Sequence, residues 1–334
     1  MTSAASALVG FVRTRALFRE GERVAVALSG GADSCALLLA LTETFPEALA
    51  GVLHFHHGMR GSDADADAGF CAALATKCRV PCLIGLGALG QGASEGTARQ
   101  ARYDFLIEGA QELGATLIAT AHTADDVAET VLLRILRGTS VDGLAGIPPR
   151  RSIVEGISVV RPLLAARRAD TVACCETYGV TPRHDPTNDN TVFPRNRLRA
   201  LLPELSQAFN PKLVEALNRL AANAEADRDY LEAASEHLDD ADAATLRAAP
   251  SALRRRALLR RLRRASLNAQ EERATTRWVD ALESILAGGP QQDLPGGVRA
   301  RLKKGQLEIF TPPAVVKALN PINPDNGTDT IESG

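Results

Sequence analysis

The chain has 334 residues, of which 45% are hydrophobic and 23% charged, as is typical of a globular protein with core enough for two domains. Its 38 lysines and arginines nearly balance 40 aspartates and glutamates, so bulk charge does not indicate a polyanion-binding protein. The longest uncharged apolar run, Cys35 to Leu41, is too short to span a membrane, and we expect no signal peptide. We therefore expect a cytoplasmic protein with reduced thiols. The chain contains no Cys-x-x-Cys pair, so we expect neither a zinc site nor an iron–sulfur cluster.

Residues 23–41 predict a strand, a tight turn and a helix. The turn is Ser29-Gly30-Gly31-Ala32-Asp33-Ser34, whose glycines let backbone N–H groups approach a ligand at the positive end of the helix dipole. No Gly-Lys pair occurs in the chain, so this is not the common phosphate loop. The turn suits pyrophosphate, and Asp33 is placed to hold a metal against phosphates. The alternative is an ordinary strand–helix turn.

Residues 51–60 predict a second strand that ends in the turn His57-Gly58-Met59-Arg60, at the ligand-binding edge of a sheet. The nearby histidines lack a carboxylate or cysteine partner at metal-site spacing, so we expect no metal there. A third strand follows over Val80–Leu86. The helix from Glu95 to Leu113 carries Arg99 and Arg102, which either pair with surface acids such as Glu95 or face phosphates.

Residues 115–121 predict a fourth strand, which ends at His122 and leads into a helix. Thr123 and Asp126 fit a capping box, but that explains only one of the acids at this helix start. Asp126 and Glu129 are three residues apart and share one helix face. Carboxylates clustered at the carboxyl end of a strand hold magnesium or a substrate ammonium group, and we expect a functional role.

A last strand is predicted over residues 159–164, followed by a helix over 169–178. Arg195, Arg197 and Arg199 then open an apolar helix, either as a solvated face or as phosphate contacts. The alternation of strands and helices predicts an α/β fold with a doubly wound parallel sheet in a domain over residues 1–212.

The character of the sequence changes after Pro211. A long helix from Leu213 is followed by a helix over Leu253–Arg264 with seven arginines, which predicts salt-dependent nucleic-acid binding or a solvated face. Two short strands, 298–302 and 306–310, predict a hairpin. We therefore expect a mainly helical domain with a short β-hairpin over 213–312 and a disordered tail over 313–334.

A series of motifs occurs in order along the chain. It comprises Ser29–Ser34, His57–Arg60, Glu95-x-x-x-Arg99-x-x-Arg102-Tyr103, His122-x-x-Asp125-Asp126-x-x-Glu129-Thr130, Arg137-Gly138-Thr139, Arg161-Pro162-Leu163-Leu164, Asp185-x-x-Asn188 and Arg195-Asn196-Arg197-x-x-Arg199. The first motif resembles the signature of the PP-loop ATP pyrophosphatases. The whole series resembles the bacterial tRNA(Ile)-lysidine synthase family, strongly from about residue 20 to 205 and more weakly beyond.

The resemblance implies an ATP-dependent ligase with Mg²⁺ that joins free L-lysine to carbon 2 of the wobble cytidine of isoleucine tRNA with anticodon CAU. It implies an adenylated cytidine intermediate, and release of AMP and pyrophosphate. The implied ATP-binding residues are Ser29, Gly30, Gly31, Ala32, Asp33, Ser34, His57, Arg99 and His122, with Asp33 on the metal. The implied catalytic residues are Asp33, Asp126 and Glu129, and our hypothesis is that Asp126 and Glu129 bind the lysine ammonium group. The implied tRNA-binding residues are Arg102, Arg195, Arg197, Arg199, Arg254, Arg255 and Arg261.

Three alternatives stay open. The first is a tRNA-thiolating PP-loop enzyme, against which the lack of cysteine pairs argues mildly. The second is a PP-loop amidotransferase or synthetase that acts on a small molecule, which would not explain the arginine-rich helix. The third is a non-catalytic RNA-binding protein on a nucleotide-binding fold. The sequence also leaves the oligomeric state open, a homodimer included.

Overall fold

Strands and helices alternate over the first half of the chain, and helices dominate the second half. The structure is a computed structural model, and it describes residues 3–56, 62–87, 95–183, 192–265, 272–294 and 297–312. The strands are β1 Val24–Ala27, β2 Leu49–His56, β3 Cys82–Leu86, β4 Leu117–Ala119, β5 Arg150–Val154, β6 Ile157–Val160, β7 Gln292–Asp293, β8 Arg299–Lys303 and β9 Gln306–Phe310. The α-helices are α1 Ala4–Leu8, α2 Gly10–Thr14, α3 Ala32–Thr44, α4 Ser62–Lys77, α5 Glu95–Glu112, α6 Ala124–Arg137, α7 Val141–Leu144, α8 Arg168–Thr177, α9 Pro194–Ala208, α10 Leu213–Ser235, α11 Ala243–Ala248, α12 Ser251–Ala265 and α13 Glu272–Leu286.

The first six strands form one sheet in the order β3-β2-β1-β4-β6-β5. β1 pairs in parallel with both β2 and β4, and β3 and β6 extend the parallel sheet on either side. The chain therefore winds outward from β1 in both directions, which confirms the doubly wound fold. Ligands bind such sheets where the winding reverses, beyond the carboxyl ends of the strands. Here that position lies after β1 and β4.

Helices cover both faces of this sheet because alternate strand residues face opposite sides. Val24 and Val26 of β1 pack into a core that includes Leu37 of α3. Ala25 belongs to the core on the other face, with Leu106 of α5. All five side chains are buried, so the strand that carries the glycine turn is fixed from both sides.

The edge strand β5 is not parallel. It pairs antiparallel with β6, with Arg150 opposite Val160 and Ser152 opposite Ser158. The sequence predicts no strand here, because Arg150 to Ser152 lack an apolar run. An edge strand does not need one, since much of β5 is exposed to solvent.

A second compact unit begins at Asp229, whereas the first ends at Arg228. The second unit has its own core, formed by helices α11 to α13 and an antiparallel sheet in the order β7-β8-β9. The predicted hairpin is confirmed as β8 and β9, and β7 adds a third strand.

The division between the units falls within α10, and the predicted boundary near residue 212 coincides with the start of that helix. Val214, Leu217 and Ala221 of α10 pack with Val127 and Val131 of α6, which explains why this part of α10 belongs to the first unit. In the described ranges, no helix is both long enough and apolar enough to cross a membrane.

Candidate active site

The turn between β1 and α3 has the geometry of an anion site. Gly30 has a φ of +88°, which favours glycine and turns the chain from strand to helix. The Ser29 N–H donates to Ser34 Oγ at 3.2 Å, which closes the turn. Gly31 is the N-cap residue of α3, and no side chain caps the helix there. The first-turn N–H groups and the helix dipole therefore favour a bound anion.

Asp33 lies in the first turn of α3, next to this anion site. Its Oδ1 accepts a hydrogen bond from Thr171 Oγ1 at 2.5 Å, and its Oδ2 lies 3.4 Å from Arg168 Nε. Burial raises the pKa of Asp33 above its ordinary value, although the bonds from Thr171 and Arg168 oppose the rise. The carboxylate is thus only partly compensated by the protein and suits a further cation.

The two aspartates at the start of α6 have different tasks. Asp126 accepts hydrogen bonds from Thr123 N at 2.8 Å and Thr123 Oγ1 at 3.0 Å, so it caps its own helix. Asp125 accepts from Arg168 N at 2.8 Å and thereby ties α6 to the start of α8. Burial acts to raise the pKa of Asp126, but the Thr123 N–H and the guanidiniums of Arg168 and Arg195 outweigh it and lower the pKa.

Glu129 is fully buried and is surrounded by guanidinium groups. Arg199 Nε lies 2.7 Å from Glu129 Oε1, and Arg195 Nε lies 2.9 Å from Oε2. Arg195 also donates to Asp126 Oδ1 at 3.0 Å. The sequence predicts tRNA contacts for Arg195 and Arg199, but the structure pairs both with the predicted lysine-binding carboxylates.

Arg168 joins the three predicted catalytic acids and is absent from the sequence-based prediction. Its guanidinium lies 3.4 Å from Asp33, 3.3 Å from Asp126 and 3.4 Å from Glu129. Thr171, one turn further along α8, is also missed. The signal that could have found Arg168 is its place at a helix start that follows strand β6, since helix starts after strands line this edge of the sheet.

His122 follows β4 and lies beside a second set of arginines. Burial lowers the pKa of His122 to about 4, Asp126 opposes the shift, and the charges of Arg161, Arg195 and Arg102 add to it. Thr120 Oγ1 lies 3.0 Å from His122 Nδ1. His122 is therefore a neutral imidazole at neutral pH, close to both the acids and the arginines.

The other predicted residues of the first unit are more dispersed. Arg99 is exposed, with its guanidinium carbon 5.1 Å from the Tyr103 ring centroid. Arg102 lies over the same ring at 5.8 Å. Arg197 is exposed on α9, and its side chain forms no ion pair or hydrogen bond with the described residues. His57 lies outside the described residues, so its predicted role stays a prediction.

In the second unit, protein partners hold the three arginines predicted to bind tRNA. Arg254 Nε lies 3.1 Å from Glu283, and Arg255 Nη2 lies 2.7 Å from Asp280. Arg261 donates to the backbone carbonyls of Asp239, Leu238 and Ala241 at 2.6, 3.0 and 2.6 Å. On the same helix α12, Arg263 is exposed, and its side chain forms no ion pair or hydrogen bond with the described part of the chain.

Comparisons with known proteins agree on one family. The model of the PP-loop domain (ATP_bind_3) matches residues 4–205. A protein of Thermosynechococcus vestitus named tRNA(Ile)-lysidine synthase is 39% identical over 307 residues, which cover 87% of this chain and 87% of the relative. A protein of the same name from Symbiobacterium thermophilum is 36% identical over 326 residues, which cover 90% of this chain and 67% of the relative.

A solved structure is similar in fold. The U34-tRNA thiolase NcsA from Methanococcus maripaludis, determined with its 4Fe–4S cluster, superposes with a TM-score of 0.53 at 17% sequence identity. The match covers 66% of this chain and 77% of the thiolase. At this identity, the similarity establishes the shared PP-loop fold alone.

Proposed function

Because this chain belongs to the tRNA(Ile)-lysidine synthase family of PP-loop enzymes, we propose that it converts the wobble cytidine of the CAU-anticodon isoleucine tRNA to lysidine. The cytidine O2 attacks the α-phosphorus of ATP, and pyrophosphate leaves. The ε-amino group of free lysine then attacks carbon 2, and AMP leaves with the oxygen. The observation that carries the proposal is the cluster of Asp33, Asp126 and Glu129 beside the Ser29–Ser34 turn.

ATP binds with its phosphates at the turn, where the uncapped start of α3 supplies N–H groups. The turn residues Ser29, Gly30, Gly31, Ala32, Asp33 and Ser34 would contact the phosphates, together with Arg99, His57 and His122. Mg²⁺ fits Asp33, because this ion is usually held by one or two carboxylates plus substrate phosphates and needs no preformed cage. Bound there, it would neutralise charge on the departing pyrophosphate.

Asp126 and Glu129 would hold and orient the incoming lysine. Both carboxylates already contact alkyl-linked cations, since Arg168, Arg195 and Arg199 are their partners. A lysine ammonium group offers the same charge at the end of the same kind of flexible chain. The free amine has an ordinary pKa of about 10.4, so it must lose a proton before it attacks. The carboxylates therefore position the nucleophile next to the adenylated base.

The wobble base must leave its stack to reach a site beyond the carboxyl ends of β1 and β4. We propose that phosphates of the tRNA meet Arg102, Arg195, Arg197 and Arg199 in the first unit. Arg254, Arg255 and Arg261 would serve the tRNA from the second unit only if their present partners released them. Of these seven arginines, exposed Arg197 is the residue whose contacts least oppose such a role.

The direct test is incorporation of labelled lysine into a transcript of the isoleucine tRNA with anticodon CAU, in the presence of ATP and Mg²⁺. We expect incorporation that disappears when the wobble cytidine is replaced by uridine. No incorporation, with AMP released on another tRNA or a small molecule, would refute the lysidine assignment. AMP release that depends on a sulfur donor would instead indicate thiolation, and no AMP release at all would indicate a non-catalytic RNA-binding protein.

The lysine assignment has its own test in Glu129→Gln. Glu129 caps no helix, whereas Asp126→Asn would also disturb the cap on α6. We expect Glu129→Gln to lose lysine transfer and keep tRNA-dependent ATP–pyrophosphate exchange. The control is Asp125→Asn, which changes a neighbouring carboxylate that faces α8. Unchanged lysine affinity and transfer in Glu129→Gln would exclude the assignment.

The cysteines argue against thiolation as the activity. All six are free, and burial raises the pKa of Cys71 to about 12 and that of Cys175 to about 11. Thiols with such values stay protonated at neutral pH and are poor nucleophiles. Lysine transfer should accordingly survive treatment of the folded enzyme with iodoacetamide.

A further inference from the structure

His54 is a buried side chain for which the proposed chemistry has no use. It lies on β2, is 5% exposed, and has its Nδ1 2.8 Å from the carbonyl oxygen of Leu28, which links β1 to the Ser29–Ser34 turn. A carbonyl oxygen accepts and cannot donate, so Nδ1 carries the proton. Burial lowers the pKa of His54, although the bond to Leu28 opposes the shift. The ring is therefore neutral at neutral pH, and Nδ1–H is its single donor.

Two buried thiols contact carbonyl groups further along the same turn. Cys35 Sγ on α3 lies 3.3 Å from the Gly30 oxygen, and Cys175 Sγ on α8 lies 3.4 Å from the Ala32 oxygen. Both cysteines are 0% exposed, and burial raises the pKa of each, so both keep an S–H that can donate. The Gly30 oxygen also accepts the Arg183 N–H at 2.9 Å. Because a thiol is a weak donor, the imidazole forms the strongest of the three side-chain bonds.

The three contacts fall on alternate peptide units, those with the carbonyls of residues 28, 30 and 32. A trans peptide is planar, and its N–H points opposite to its carbonyl. The buried donors therefore direct the N–H groups of residues 29, 31 and 33 away from themselves. The Ser29 N–H reaches Ser34 Oγ and closes the turn. The N–H groups of Gly31 and Asp33 lie at the start of α3, where a bound anion is favoured.

We propose that His54, Cys35 and Cys175 are positioning residues that orient the Ser29–Ser34 turn for the phosphates of ATP. They lie on three different elements and are buried, so they act through the backbone of the turn and not on the phosphates themselves. This role rests on the proposed function only in that ATP binds at the turn, whichever base or amine is then modified. N–H groups that are already oriented bind phosphate more tightly, because less conformational entropy is lost on binding.

The test compares His54→Leu with His54→Asn. Leucine removes the donor and stays apolar and bulky, whereas asparagine places an amide N–H close to the position of Nδ1. The affinity for Mg²⁺–ATP is measured without tRNA, and the affinity for the tRNA transcript without ATP reports any general structural damage. We expect His54→Leu to weaken ATP binding by about tenfold and His54→Asn to stay within about threefold of the wild type. Neither variant should change tRNA binding.

The thiols have a matched control on α8. Cys174 is buried in the same core as Cys35 and Cys175, and its thiol forms no bond to the Ser29–Ser34 turn, all of which the structure describes. Cys35→Ala and Cys175→Ala should each weaken ATP binding by about two- to threefold. Serine at either position should restore the affinity, because its O–H donates to the same carbonyl. Cys174→Ala should lower the melting temperature and leave ATP affinity unchanged.

Unchanged ATP affinity in His54→Leu, or an equal loss in His54→Asn, would overturn the positioning role. If His54→Leu fails to fold, Cys35→Ala decides the outcome, and an ATP affinity equal to that of Cys174→Ala would overturn the role. The proposed function fails in a different way. Reduced ATP affinity in His54→Leu, without lysine transfer by the wild type, would leave the positioning role and remove the function. Wild-type lysine transfer with normal ATP affinity in His54→Leu would do the reverse.

Discussion

Glu129 and Arg199 form a two-point ion pair in the interior of the first unit. Arg199 Nε lies 2.7 Å from Oε1 and Nη2 lies 3.1 Å from Oε2, while Glu129 is 0% exposed. Such a bidentate pair is stronger and more directional than a single contact. Leaving a buried carboxylate without its partner costs folding free energy. Among mutations on α9, those that break this pair should therefore destabilise the protein most.

We expect Arg199→Gln to lower the free energy of unfolding by about 2 kcal/mol, because Arg195 and Arg168 still compensate part of the Glu129 charge. The matched control is Arg197→Gln on the same helix, which should change stability by less than about 0.5 kcal/mol. Urea denaturation of both variants measures the difference. Equal losses of stability in the two variants would contradict the prediction.

The depressed pKa of His122 predicts a pH dependence of stability. The unfolded side chain titrates near 6.5 and the folded one near 4, so the unfolded state binds the proton more readily. The contribution of the neutral imidazole, about 3 kcal/mol, is present above pH 6.5 and is lost as the pH falls towards 4. His122→Gln should lose less stability between pH 7 and 4 than the wild type. Parallel stability curves would exclude the depressed pKa.

Thr171 should tune the ionisation of Asp33. Its hydroxyl bond lowers the pKa of Asp33 against the effect of burial, so Thr171→Val should raise that pKa further. The acidic limb of the ATP–pyrophosphate exchange profile should then move to higher pH. Thr177→Val is the control on the same helix, because the exposed Thr177 hydroxyl donates to the Ala173 carbonyl at 2.8 Å and is not bonded to Asp33. If the acidic limb does not shift in Thr171→Val, ionisation of Asp33 does not control the ATP–pyrophosphate exchange reaction.

Two arginines of α12 should behave differently. Arg261→Gln removes three bonds to backbone carbonyls and should destabilise the second unit by about 2 kcal/mol. Arg263→Gln should leave stability unchanged. It should make the slope of log tRNA affinity against log salt concentration less negative, by somewhat less than one. Salt titrations of tRNA binding, with thermal melts of each variant, measure both effects. An unchanged slope for Arg263→Gln would exclude α12 from the surface of the protein that binds tRNA.

The parts of the site that sequence analysis predicts well are those with a local cause. The Ser29–Ser34 turn follows from two glycines between a strand and a helix, and Asp126 follows from its spacing to Thr123. Gly85 is a different case, because it lies inside β3. A Cβ there would lie 2.3 Å from the Phe105 ring, so the residue is small for packing.

The features of the site that the sequence does not predict depend on contacts between segments that are far apart along the chain. The arginines that compensate Glu129 lie 39 to 70 residues away in sequence, and no periodicity says which charges will meet. The seven arginines of α12 look like an open basic face for the same reason, although Asp239, Asp280 and Glu283 lie against several of them. Burial and charge pairing are properties of the folded chain, whereas helix and turn signals are properties of short segments.

The reversed edge strand β5 has a consequence for behaviour at high concentration. An exposed strand edge offers unpaired backbone groups on which another chain can form a further strand. Here Arg150 is held by Glu22 at 2.6 Å, and exposed Arg151 follows it on the same strand. Because Glu22 compensates Arg150, the charge that a second copy would meet at this edge is that of Arg151. Repulsion between the Arg151 side chains of two copies should oppose edge-to-edge aggregation and favour solubility.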